Sequence, residues 1–232
     1  MKIKTASLLA ASATLALAGS ADAAVTYGGS FGTWNASNTS AVTGNWDASA
    51  YDKLVVVANS ENGNGGTGGY ITSVTYQGVA LTEAIGSPGA AGNITSNQIW
   101  YLDNPNSIAF TDGAITTAGN NRLALTVFGL NGTAAGVGNT VAARDVYTAN
   151  LATSAGSMVI SSLGMGGAGN NADVNNVTPD TGTKINGVEF GNNWAGHVAA
   201  YDAAGGGTYS FTDTSPTNDV SVVAVEFTMV PE

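Results

Sequence analysis

Apolar residues in this chain come in short runs. After Ala24 no segment sustains them at helical spacing. Runs such as Leu54-Val55-Val56-Val57-Ala58, Gln98-Ile99-Trp100-Tyr101-Leu102 and Val220 to Val230 are instead rich in β-branched and aromatic residues. They recur at intervals of roughly 8 to 15 residues, with glycine, asparagine and proline clusters between them. A chain punctuated so often leaves little room for amphipathic helices and must bury its apolar runs as strands. The spacing predicts an all-β fold, an antiparallel, jelly-roll-like β-sandwich of roughly eleven or twelve strands.

Local chemistry sharpens several of these elements. Thr72, Val74 and Tyr76 alternate with Ile71, Ser73 and Thr75, and Gln77-Gly78 then offers the positive φ of a tight reversal into Val79 to Ile85. The run at Trp100 is apolar on both pleat faces, as a central strand covered on both sides would be. Asn186-Gly187 predicts a hairpin within Thr183 to Phe190, and the glycines before Thr208 predict another between Trp194 to Tyr201 and Thr208 to Thr212. Along Asp219 to Val230, Val223, Val225 and Phe227 share one face and Glu226 takes the other.

The first 23 residues read as an export signal. Lys2 and Lys4 precede an apolar stretch, Leu8 to Leu17, too short to span a bilayer stably, and Ala21-Asp22-Ala23 forms a small-residue cleavage site. The expectation is a mature chain starting at Ala24, released by signal peptidase and folded as a single sandwich domain over 24–230. Absence of cysteine excludes disulfides and thiol chemistry and fits bacterial export. Only 9% of residues are charged and the formal charge is −10, so the surface is covered by Asn, Thr, Ser and Gly, and nucleic acid is not an expected partner.

Two motifs carry resemblances. Val74-Thr75-Tyr76-Gln77-Gly78-Val79-Ala80-Leu81, followed by Trp100-Tyr101-Leu102-Asp103-Asn104-Pro105, resembles the VTYGG-x-x-L … WYL-x-NP core of exported bacterial β-sandwich domains found in surface and extracellular proteins. The likeness runs from about Val56 to Phe211, and Gln77 stands where that pattern has its first glycine. Val230-Pro231-Glu232 is similar to the opening of the PEP-CTERM sorting signal. That likeness implies an exosortase substrate whose apolar span and basic tail were removed or left out.

Candidate sites follow from residue chemistry. His197 is the only histidine, so a Ser-His-Asp triad would depend on it; no Gly-x-Ser-x-Gly elbow accompanies it, and the reading is structural. Glu83, Glu189 and Glu226 are the strand-borne acids a polysaccharide hydrolase or lyase would need, and each is expected to face solvent. Trp46, Trp194 and Tyr201 sit beside polar sequence and are the candidate rings for stacking on sugar faces. Asp103 and Asp173 lie in oxygen-rich turns and are the candidate ligands for a structural Ca2+, no other cofactor being expected.

The expectation is a non-enzymatic structural protein of the extracellular matrix or outer surface of a Gram-negative-type bacterium. The alternative is a carbohydrate-binding module for extracellular polysaccharide, and the third reading is an enzyme acting on such a polymer. Self-association is a further expectation, with Val220 to Val230 as an edge strand.

Overall fold

The computed structural model describes residues 24–37, 41–42, 47–61, 70–87, 95–108, 115–118, 122–166, 173–190, 195–203, 205–214 and 219–231. The expected leader, residues 1–23, lies outside them. Seventeen strands are described. In chain order they are β1 (Thr26–Ser37), β2 (Ala41–Val42), β3 (Lys53–Glu61), β4 (Ser73–Tyr76), β5 (Val79–Ala80) and β6 (Thr82–Ser87). Then come β7 (Thr95–Asp103), β8 (Ile115–Ala118), β9 (Arg122–Asn131), β10 (Thr140–Arg144), β11 (Thr148–Leu151) and β12 (Met158–Gly166). The last are β13 (Val177–Pro179), β14 (Thr183–Phe190), β15 (Ala195–Asp202), β16 (Gly207–Asp213) and β17 (Asp219–Phe227). No α-helix occurs among the described residues, only 3-10 turns at Pro105–Ser107 and Val174–Asn176.

The molecule is an antiparallel β-sandwich with a second tier on each side. Two five-stranded sheets, ordered β1-β9-β3-β7-β6 and β10-β17-β12-β15-β14, pack face to face. Val55, Val57, Ile99, Phe128 and Leu130 of the first meet Met158, Ile160, Val223, Val225 and Phe227 of the second. The outer face of the first sheet is covered by a four-stranded sheet, β2-β8-β4-β5, through Leu54, Val56, Trp100 and Leu125 against Val74, Tyr76 and Ile115. The outer face of the second is covered by the three-stranded β11-β16-β13, through Leu163, Val198 and Val222 against Ala149, Val177 and Phe211.

This layering explains the unbroken apolar runs. A strand buried on both faces has no solvent side, so alternation disappears. In β3, Leu54 and Val56 face the four-stranded cover while Val55 and Val57 face the opposite main sheet. β12 and β17 are buried along their whole length for the same reason.

Several expectations change in the folded chain. The Gln77-Gly78 reversal forms, with φ of 48° and 80°, and joins β4 to β5. The following run then splits: Leu81 donates back to Val74 O, and β6 crosses to pair with β7 in a main sheet. The Asn186-Gly187 hairpin does not exist. β14 runs straight through against β15 with one register shift, because Gly187 leaves the room that the Val174 side chain occupies: a Cβ there would stand 2.8 Å from Val174 Cβ. β15 and β16 also do not pair. The left-handed glycines 205–207 carry the chain out of the main sheet into its cover. The terminal run is no edge either, since β17 lies between β10 and β12.

Candidate functional site

The inter-sheet layer is apolar at one end and polar at the other. Along β3, the inward sequence Val55, Val57 gives way to Asn59. Along β7, Tyr101 and Ile99 give way to Asn97, along β9 Leu130 and Phe128 give way to Thr126, and along β12 Ile160 gives way to Ser162 and Gly164. Antiparallel register brings all of these changes to the same end, since Asn59 pairs with Asn97 and Gly164 pairs with His197. Asn97 Nδ2 donates across the layer to Ser162 O at 3.0 Å and Ser221 O at 3.1 Å, while Ser162 Oγ donates back to Asn97 Oδ1 at 3.1 Å. Gly164 has no side chain because the Asn59 and Asn97 side chains fill its place, each 2.6 Å from a built Cβ.

His197 is fully buried in this layer and shares its strand face with Ala199 and Tyr201. Its Nε2 lies 2.8 Å from Thr126 Oγ1, and that hydroxyl donates to Asn186 Oδ1 at 2.7 Å. Burial pushes the imidazole down to about 3, so it is neutral at physiological pH. His197 thus bonds Thr126, which in turn bonds Asn186.

The opposite end is charged. Lys53 is buried, donates to Asp103 Oδ1 and, at 2.7 Å, to Gly136 O, and lies 4.8 Å above the Tyr101 ring. Burial lowers the lysine from its usual value, and Asp103 opposes that shift. Glu226 is also buried, which corrects the expectation that it faces solvent: the face opposite Val223 and Val225 is covered rather than open. It accepts from Ser154 N at 2.6 Å, Ser157 Oγ at 2.8 Å and Asn139 N at 2.9 Å. Burial alone would raise its carboxyl, but these donors outweigh it and hold the group below the usual carboxylate range.

Neither a family model, nor a curated protein, nor a solved structure matches the chain. Site residues are therefore placed by geometry alone. Tyr201 is half-buried, with its ring stacked on Tyr27 at 4.6 Å and 9°, so that face of the ring is taken. Trp46 and Trp194 lie outside the described residues. Asp103 is engaged by Lys53 and by Gly136 N. Asp173 caps the turn at Val174–Asn176, accepting from Asn175 N at 2.9 Å. The two aspartates are not brought together, and among the described residues no three acids or histidines gather as a metal site. Glu83 accepts from Tyr70 OH and Gln98 Nε2 on edge strand β6; Glu189 lies on β14, the edge of the other main sheet; Glu226 is in β17.

Val230 and Pro231 of the sorting-like motif follow β17 at the charged end. Val230 is exposed and donates to Gly132 O, and Pro231 lines an open pocket with Ala155, Ser157 and Met229. Val25 N donates to Gly156 O beside the same pocket. Glu232 lies outside the described residues. The first and last described residues thus lie at the same end, and the nine residues of β17 set it about 30 Å from the polar end.

The polar inter-sheet cluster was not anticipated from sequence. Its signal was nonetheless present: at alternate positions the runs LVVVANS and MVISSLG turn polar, at Asn59 and Ser162, toward the end at which β3 and β12 finish.

Proposed function

We propose that this chain is an exported, non-enzymatic structural protein of the outer cell surface or extracellular matrix, with Val230-Pro231-Glu232 as the opening of a PEP-CTERM signal read by exosortase. What supports this reading best is the use made of its reactive side chains. His197, Glu83, Glu226 and Asp103 are all spent on hydrogen bonds that join strands or close loops. The placement of residues 25 and 231 at the same end adds to it, because an anchor attached there would hold the polar end outward, about 30 Å away. Expression of the full chain in a Gram-negative host, with fractionation and N-terminal sequencing, tests the reading. A chain beginning at Ala24 in the surface or extracellular fraction is expected; retention in the cytoplasm with Met1 to Ala23 intact refutes it.

A second reading, a module binding extracellular polysaccharide, is supported by the connecting segments at the polar end, which are uncharged although the strands there carry Glu61, Arg122, Glu189 and the Arg144–Asp219 pair. The connecting segments 62–69, 88–94, 167–172 and 191–194, each of which adjoins a strand there, contain no Asp, Glu, Lys, Arg or His, and the last includes Trp194. Pull-down on neutral polysaccharide that is abolished by Trp194→Ala would favour it.

A further inference from the structure

We infer that ordered water occupies the polar end of the inter-sheet layer, bound by the side-chain amide of Asn59 and by Nδ1 of His197. Both residues are buried, at 1% and 0% exposure, and neither the Asn59 amide nor His197 Nδ1 has a hydrogen-bond partner among the described residues. Leaving such groups dry costs about 1–3 kcal/mol each, whereas water can meet them at little cost where the space is polar.

Proton bookkeeping fixes what the ligand must do. The Thr126 hydroxyl has one hydrogen and gives it to Asn186 Oδ1, so toward His197 it can only accept. Nε2 therefore carries the ring proton, and Nδ1 presents a bare lone pair. Asn59 adds one carbonyl acceptor and one NH2 donor. The missing partner must donate to Nδ1 and to Asn59 Oδ1 and accept from Asn59 Nδ2, which is the pattern of water and of neither a cation nor an anion.

Both groups adjoin Gly164. Gly164 pairs with His197 across β12 and β15, and a Cβ on Gly164 would stand 2.6 Å from Asn59 Nδ2. Asn97, Ser162, Thr126 and Asn186 around them are neutral and polar, with Val57, Val223 and Ala199 bounding the cluster on its apolar side. This inference is independent of where the protein is exported.

The wild-type protein tests it. A crystal structure resolving solvent should show water within about 3.2 Å of His197 Nδ1 and of the Asn59 amide. In solution the lone histidine should show the Nε2–H tautomer by 15N NMR, with a long-lived water cross-peak that is lost in Asn59→Leu. An Nδ1–H tautomer, a side chain from residues 167–172 filling the space, or a cross-peak unchanged in Asn59→Leu overturns the inference.

Discussion

The neutral, buried His197 makes stability depend on pH in a way that one residue can report. In the folded protein the imidazole is pushed down to about 3 by burial, while in the unfolded chain it titrates near 6.5. Between those values the unfolded chain holds a proton that the folded one lacks, so stability is fully present above about pH 6.5 and falls as pH drops toward 3. The slope approaches 1.4 kcal/mol per pH unit, and from pH 6.5 to 4.5 the loss comes to roughly 2 kcal/mol. Against a typical 5–15 kcal/mol for a folded domain, that is a measurable share. Glu226 also loses stabilisation in the lower part of the same window, because its folded value is depressed and protonation removes what its donors supply. A difference measurement removes that contribution. His197→Gln keeps a donor for Thr126 and has no titration of its own. Urea unfolding of both proteins from pH 7.5 to 4.5 at fixed ionic strength should give a gap that changes by roughly 2 kcal/mol, wild type losing more. Parallel curves, or a histidine resonance that titrates near pH 6.5 in the folded protein, would refute the assignment.

Three further outcomes are expected from the packing. Gly129→Ala places a Cβ 2.3 Å from the Tyr51 ring, which must leave its seat against β9; a loss of about 1–3 kcal/mol by chemical denaturation is expected, with strong coupling to Tyr51→Ala in a double-mutant cycle. Glu226→Gln turns an NH2 toward one of the two backbone donors, Asn139 N at Oε2 or Ser154 N at Oε1, and should cost about 2 kcal/mol at pH 7, a penalty that shrinks on acidification. Asp103→Leu alone strands the buried Lys53 cation and should cost about 3 kcal/mol, whereas Asp103→Leu with Lys53→Met should recover most of that in thermal melts.

What the sequence made legible, and what it hid, divides along a physical line. Strand identity rests on residue type over four to nine positions, which is local, and β3, β7, β12 and β17 all fall on runs readable as strands. Partnership is not local. Asn186-Gly187 has the composition of a hairpin turn, yet its conformation is decided by Val174 pressing on Gly187 from a neighbouring element, and β14 stays extended. Glu226 shows the same limit at the level of a side chain. Its parity was correctly opposite to Val223 and Val225, but parity assigns a face and not what covers it, and here the cover includes Leu151, Tyr209 and the donors at Ser154 and Ser157. The polar end of the core was hidden for a third reason. Asn59, Asn97, Thr126 and Ser162 are each an unremarkable polar residue in an apolar run, and they become a site only when antiparallel register aligns the polar ends of β3, β7, β9 and β12. Residues that work through register cannot be found one run at a time. Comparing the direction in which successive apolar runs turn polar is a reading of sequence that would have found them, because in antiparallel neighbours that direction must alternate for the polar ends to coincide.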